Sequence, residues 1–261
     1  PCRHYKSCGG CQLQHAAEPF VAEYKQQIVK TALDAHGIET EFRPIARSPP
    51  QSRRRATFAV RRTKKGALWG FHARASDTVI AVPECKLVVP ELLDVSALMD
   101  DLASIGGSRK GEMSVNVTLS EVGLDVFVLG GKPLDQTLTL ALSGIVEKHN
   151  LARLTWDDEV IGMRNPPYQI FGKARVAPPP GAFLQATEHG QNALTAAVMD
   201  AVSGARGVDL FAGSGTFTLP LAERSEMLGV EGDKAMIGIA VDAQSEFGFR
   251  VTDPALACNK V

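Results

Sequence analysis

The sequence predicts two folded units of different class: a β-rich, α+β region in the middle of the chain and an α/β, Rossmann-like region after it. Two changes of texture carry that prediction. Between residues 39 and 180, short β-branched runs alternate apolar and polar positions between glycine, proline or charged turns, the pattern of an antiparallel sheet. From Thr187 onward the order becomes helix, apolar strand, glycine-rich turn, helix and strand again, which opens a parallel sheet. With 261 residues, 44% of them hydrophobic, the chain can bury two modest cores or one large one.

Taken in order, residues 12–38 place Phe20, Val21, Tyr24, Ile28 and Leu33 at near-helical spacing, with Gly37 as a stop. "ATFAVRR", "ALWGFHA", "DTVIAVP", "MSVNVTLS" and "GLDVFVLGG" follow as strands, and "PELLDVSALMDDLASIG" as a helix ended by Gly106 and Gly107. The proline-rich "RNPPYQIFGKARVAPPPGAF" reads as a passage between units. "TEHGQNALTAAVMDAVSG" predicts an amphipathic helix with Thr187 as N-cap, Glu188 in its first turn and Gly204 at its end. The expected division is a cysteine loop (1–11), a helix docking on the α/β unit (12–38), a β-rich central domain (39–180) and the α/β domain (181–261). No internal repeat or low-complexity tract is present.

No apolar run approaches the ~20 residues that span a bilayer, and no charged-then-apolar leader opens the chain. The first residue is Pro rather than Met, so an upstream segment is expected to have been removed or left out. A cytoplasmic monomer with no membrane partner is expected. The net charge of −1 conceals an uneven distribution, because "RRRATFAVRRTKK" (53–65) carries seven basic side chains and no acid. Arg53, Arg54, Arg55, Arg61 and Arg62 at strand spacing would line one face, either simply solvated or in contact with nucleic acid phosphates, with Phe58, Trp69, Phe71 and His72 as stacking candidates.

"DLFAGSGTFT" (209–218) sits where a strand hands over to a helix. Gly213 and Gly215 would let the backbone pass close under a ligand, and the helix start supplies free N–H groups. The dinucleotide fingerprint needs a third glycine where Thr218 stands, and no Gly-Lys-Ser/Thr follows, so neither that motif nor a P-loop is present. Glu231, at the end of the next strand, could accept both ribose hydroxyls of an adenosine. The combination suits S-adenosylmethionine, which has no pyrophosphate to cradle; the alternative is an ordinary strand–turn–helix with a solvated glutamate.

Five cysteines, Cys2, Cys8, Cys11, Cys85 and Cys258, make an odd and clustered set that argues against a disulfide framework and for metal or catalytic use. Cys2, Cys8 and Cys11 are spaced C-x5-C-x2-C, with Cys85 far away in "VPECKLVVPEL". Zinc commonly takes two close pairs, whereas a split of three and one suits a cubane cluster. Spacing leaves both open. His4 and His15 flank the loop as further candidates.

These pieces together resemble the uracil-C5 (5-methyluridine) RNA methyltransferases, in particular the 23S rRNA branch that carries an iron–sulfur cluster. The matching residues are "C-x5-C-GGC-Q-x-QH", "SRRRATF", "GFHARASDTVIAVPECKLVVPEL", "PPGAFLQ" and "VDLFAGSGTFTLPLA…GVEG", in the family's order and reaching to about Gly232. The resemblance implies a [4Fe–4S] cluster on Cys2, Cys8, Cys11 and Cys85. It implies a methyl-donor site for S-adenosylmethionine on Gln185, Phe211, Gly213, Gly215 and Glu231, with Thr216 where relatives often have Asn. RNA, most specifically 23S rRNA, is the implied partner, with Arg53, Arg54, Arg55, Arg61 and Arg62 as contacts. The target base would have to be unpaired or flipped out.

Family enzymes use a cysteine thiolate that adds to carbon 6 of uracil, so that carbon 5 can attack the methyl group, after which a base removes the carbon 5 proton. Cys258 is the cysteine left for that role, Asp253 in "TDP" faintly echoes the family's aspartate segment, and no general base is evident. Only about 45 residues follow the glycine turn, fewer than a doubly wound sheet needs, so the α/β domain is expected to be incomplete. The small β-barrel RNA-binding domain common at the family's N-terminus has no counterpart here. Two further readings stand beside the enzyme: a cluster-stapled RNA-binding protein without its catalytic half, and a zinc-bound methyltransferase of another substrate.

Overall fold

A computed structural model of the chain describes residues 2–236 and 250–252. Alternating side chains account for the central sheet. In β1 (Arg55–Thr63), Ala56, Phe58 and Val60 point inward; in β4 (Met113–Ser120), Met113, Val115 and Val117 do the same while Ser114 stays exposed. With β2 (Gly66–His72), β3 (Val79–Ile80), β5 (Gly123–Leu129), β6 (Arg153–Trp156) and β7 (Glu159–Met163) they form one seven-stranded sheet ordered β3-β2-β1-β4-β5-β6-β7.

The sheet is not wholly antiparallel as the sequence predicts. β5 and β6 run parallel, with Val126 opposite Leu154, and the crossover between them is a helix (Gln136–Lys148). Sequence reading missed this helix because "QTLTLALSGIVEK" mixes threonines and a mid-run glycine into its apolar spacing. Asp135 caps it, accepting from the Leu138 backbone N–H at 2.7 Å. The preceding helices are α1 (Glu18–Asp34) and α2 (Ser96–Gly106), which makes the crossover α3. The expected helix at 90–106 divides into a 3-10 turn, Pro90–Leu92, and α2.

Helices α2 and α3 cover one face of this sheet. Leu98, Met99 and Leu102 from α2 and Leu142, Ile145 and Val146 from α3 meet Phe58, Val115, Val126, Val128 and Trp156 in one core. Trp156 lies in a slot with glycine walls: a Cβ on Gly131 would stand 1.9 Å, and one on Gly106 2.2 Å, from its ring. Its indole N–H donates to the Lys132 carbonyl at 3.0 Å. The other face of β1, β4 and β2 carries no helix among the described residues.

A hairpin, β8 (Gln169–Phe171) with β9 (Ala174–Val176), precedes α4 (Glu188–Ala201). Thr187 caps α4 through Gly190 N–H at 2.9 Å, as its sequence predicts. Then β10 (Arg206–Leu210), α5 (Thr218–Ala222), β11 (Glu226–Val230) and β12 (Arg250–Thr252) give a parallel sheet in that strand order, so the expected α/β class is present. Its smaller core joins Phe171, Val176 and Leu184 to Leu219, Leu221 and Met227.

Helix α1 buries none of its side chains, and Phe20, Tyr24 and Ile28 remain exposed along one stripe. Among the described residues, no helix is long and apolar enough to cross a membrane.

Candidate functional site

Two constellations carry chemistry. In the first, the loop of residues 2–11 is laid along the end of β2: Cys8 bridges Ala73, and Gly9 N–H donates to the His72 carbonyl at 2.9 Å. Gly9 has to be small there, since a Cβ would stand 2.8 Å from that same carbonyl oxygen. The turn tightens further through Cys8 N–H to the His4 carbonyl at 2.8 Å, and Gln14 folds back to accept from Cys2 N–H at 2.6 Å.

This brings Cys2, Cys8, Cys11 and Cys85 around one narrow cavity of about 20 Å³, also lined by Phe71, Val82 and Leu87. Each of three sulfurs has a backbone N–H two residues on, at 3.4 Å: His4 toward Cys2, Gly10 toward Cys8 and Leu87 toward Cys85. Burial, then the neighbouring Cys85, Cys8 and Cys2, push the Cys11 thiol up from its ordinary value. The fold thus brings together the four cysteines that the sequence singled out, three from one loop and Cys85 from far along the chain. Among the described residues, however, no three Cys, His, Asp or Glu groups stand close enough to share a single metal ion. His4 lines the cavity; His15 lies outside it, paired through Nδ1 with the Tyr5 hydroxyl at 2.5 Å.

The second constellation is the turn between β10 and α5. Phe211, Gly213 and Gly215 take left-handed conformations at φ 62°, 56° and 89°. For Phe211 that is a strained position, and the residue is 91% exposed. Gly215 has a steric need as well, because a Cβ would meet Leu219 at 2.7 Å; at Gly213 the space is open. Thr218, in place of a third glycine, is buried and donates through Oγ1 to Asp209 Oδ2 at 2.6 Å, tying helix start to strand end.

Glu231 reaches back into this turn. Its Oε2 accepts from Gly213 N–H at 2.7 Å, and its Oε1 from Gly232 and Asp233 N–H at 2.8 and 2.9 Å. A carboxylate offers about four acceptor positions, so about one remains for a ligand hydroxyl rather than the two that were expected. Thr216 is half-buried on the same turn. Gln185, half-buried before α4, receives Arg54 Nε at its carbonyl at 3.4 Å; among the described residues no hydrogen bond joins it to the turn.

The basic run does not form one exposed face. Arg54 is 9% exposed and donates Nη2 to Gln191 Oε1 at 2.7 Å; burial, offset by Glu188, lowers its pKa. That buried pair was invisible in the sequence, where "RRR" reads as surface. Arg55 donates to the Leu184 carbonyl at 3.1 Å and lies over the Phe183 ring; burial followed by Arg53 lowers its pKa. Arg53 pairs its backbone with Leu87 and Val89, beside the cysteine cavity, and its Nε donates to the Arg55 carbonyl at 3.1 Å. Arg61 reaches Glu112 at 2.7 Å, and Arg62 the Gly107 carbonyl at 3.3 Å. Phe58 and Trp69, expected as stacking partners for bases, are buried in the core. Cys258 and Asp253 lie outside the described residues.

No family model matches the chain. The chain is 40% identical over 240 residues to an uncharacterized RNA methyltransferase of Brucella suis, covering 90% of this chain and 57% of that protein. It is 31% identical over 261 residues to the 23S rRNA (uracil(1939)-C(5))-methyltransferase RlmD of Shewanella amazonensis, covering 92% of this chain and 57% of the relative. The chain therefore spans somewhat over half the length of these curated relatives. Among solved structures, the Pyrococcus abyssi tRNA (uracil-54, C5)-methyltransferase in complex with S-adenosyl-L-homocysteine superposes with a TM-score of 0.71 at 17% identity, over 94% of this chain and 64% of that one. The chain has that fold.

Proposed function

We propose that this chain belongs to an S-adenosylmethionine-dependent enzyme that methylates carbon 5 of a uridine in RNA, with 23S rRNA as the substrate. The observation that carries the reading is the β10–α5 turn: two left-handed glycines and an exposed Phe211, with the Glu231 carboxylate anchored on Gly213 N–H. Its relatives' names and the fold shared with a uracil-C5 methyltransferase support the same conclusion. In this reading Gln185, Phe211, Gly213, Gly215, Thr216 and Glu231 hold the methyl donor, which supplies an electrophilic methyl group. Cys258 adds its thiolate to carbon 6 of the uracil; carbon 5 takes the methyl; a base removes the carbon 5 proton as the thiolate leaves.

Cys2, Cys8, Cys11 and Cys85 hold a [4Fe–4S] cluster in the same proposal. Four thiols around one cavity, three with a backbone N–H directed at sulfur, fit a polynuclear group held at separate corners. The cluster would tie residues 2–11 to the segment around Cys85. Residues 39–180 act as the RNA-binding domain, with Arg53, Arg55, Arg61 and Arg62 near the strand. Residues 181–261 belong to the methyltransferase domain, and the protein works as a cytoplasmic monomer.

The test is incubation of the chain, purified without oxygen, with methyl-labelled S-adenosylmethionine and unmodified 23S rRNA, followed by nucleoside analysis. Label in 5-methyluridine is expected. Glu231→Ala should weaken donor binding about tenfold by calorimetry, the loss of one charge-assisted hydrogen bond. Donor binding without label would mean a donor site without the catalytic half, and neither label nor donor binding would favour a cluster-stapled RNA-binding protein; unaltered donor affinity in Glu231→Ala would remove the turn from the argument.

A further inference from the structure

On the uncovered face of the central sheet a second cavity, of about 430 Å³, opens beside the cysteine loop. Its floor is made of small residues of adjacent strands, Thr57, Ala59 and Ser114, with Ala59 paired directly opposite Ser114. Its walls are polar. Glu112 is held from two sides, by Arg61 Nε at 2.7 Å and His72 Nε2 at 2.8 Å, so its carboxylate stands fixed at the rim. Arg74 is exposed, and it is presented by a turn in which Ala75 adopts φ 51°, a conformation unusual for a residue with a side chain. The remaining wall is the cysteine loop itself, Gly9 and Gly10. Gly10 and Phe71 line both this cavity and the one that holds the four thiols, so the two back onto each other across them.

Small floor, fixed carboxylate, an exposed guanidinium whose Nη2 also reaches the Cys11 carbonyl at 3.4 Å, and an aromatic edge are what an unpaired nucleotide requires. A base fits the size of the recess, its exocyclic or ring N–H groups can donate to a carboxylate, and its phosphate can meet an arginine. A flat sheet face with polar, low side chains also admits single-stranded RNA where a duplex could not enter.

We propose that this recess is a nucleotide-binding subsite for unpaired RNA, separate from the methyl-donor turn, with the base lying over Ser114 and Thr57 toward Glu112 and the phosphate on Arg74. The inference rests on the reading of the chain as an RNA-modifying enzyme and assigns a place where the strand is gripped away from the reacting base. It also gives the cysteine loop a use: the loop is one wall of the subsite, so whatever orders the four thiols orders Gly9 and Gly10.

The experiment is fluorescence anisotropy of a short, fluorescein-labelled single-stranded RNA with the full chain, beside calorimetry of S-adenosylmethionine. Arg74→Ala removes the phosphate contact and Ser114→Phe fills the recess. Each should weaken RNA binding about tenfold while donor affinity stays at the wild-type value. Lys173→Ala, an exposed cation on the β8–β9 turn, controls for loss of charge alone. Because both variants are at exposed positions, circular dichroism should remain unchanged. Independently, a 4-thiouridine-containing RNA irradiated on the wild-type chain should crosslink within residues 8–10 or 71–75. Wild-type RNA affinity in both variants, with crosslinks elsewhere, would overturn the subsite and leave the RNA methyltransferase reading intact. Donor binding by a wild-type chain that holds no RNA at all would overturn both.

Discussion

The central sheet and the C-terminal parallel sheet solve the same problem to different degrees. Both present apolar strands that need cover. In the central sheet, α2 and α3 provide it, and Phe58, Val115, Val126 and Trp156 are at most 1% exposed. In the C-terminal sheet, α5 and the β8–β9 hairpin bury Leu219, Leu221 and Met227, yet Val208 and Leu210 on β10 remain 60% and 63% exposed. Parallel strands are ordinarily covered on both faces. Among the described residues, only part of that cover is present. The difference teaches that, among the described residues, the larger buried core lies in residues 55–163, while the donor turn stands beside a smaller one.

The largest expected effect tests the stronger half. Trp156→Ala empties the slot between Gly106 and Gly131 and should cost about 3–5 kcal/mol, the range for deleting a buried aromatic. Urea unfolding followed by circular dichroism measures it. A loss below about 1 kcal/mol would mean that the central core does not dominate stability.

A smaller effect tests the joint between the halves. Arg54, on the lead-in to β1, holds Gln191 of α4, and Gln191 in turn donates to the Ile170 carbonyl at 2.9 Å. Arg54→Met keeps much of the volume but leaves Gln191 Oε1 without its donor, at a cost of about 1–3 kcal/mol. Hydrogen exchange should then accelerate across α4 and leave β4 and β5 slow. Unchanged exchange in residues 188–201 would show that the two regions are not coupled there.

The smallest effect sharpens the comparison through pH. Burial alone would raise the Asp101 carboxyl, but hydrogen bonds from Lys148 and His149, at 2.7 and 2.6 Å, hold it below its ordinary value. A depressed carboxyl contributes stability that is present above its unfolded pKa of ~3.9 and lost as pH falls through the lower folded value. This α2–α3 clamp should therefore weaken below about pH 4, and by under ~1 kcal/mol, since Lys148 is largely exposed. Asp101→Asn should flatten that part of the stability profile. An identical acid limb in the variant would remove the clamp from the account.

How legible each part was follows from the range of the interactions that form it. Thr187 caps α4, the glycine turn joins β10 to α5 and β4 alternates inward and outward, because caps, turns and periodicity act over a few residues. The α3 crossover was hidden, since threonines and Gly144 blur its helical spacing and packing on β7 and α2 makes up the deficit. The arginine run misled for a related reason. Composition marks arginine as a surface residue, but only the approach of α4 to the start of β1 puts Arg54 beside Gln191.

The cysteine group divides along the same line. Cys2, Cys8 and Cys11 could stand about 30 Å apart in an extended chain, and turns within the loop, such as Cys8 N–H to the His4 carbonyl, bring them together locally. Cys85 is brought to them because the loop lies on the end of β2 while residues 87–89, just after Cys85, pair with Arg53 ahead of β1, contacts of long sequence separation that no local rule encodes. The same holds for the recess behind the loop: His72 and Glu112 are forty positions apart and meet because β1 pairs with both β2 and β4. Local chemistry is written in neighbouring residues; the assembly of a site from distant ones is the work of strand pairing and packing.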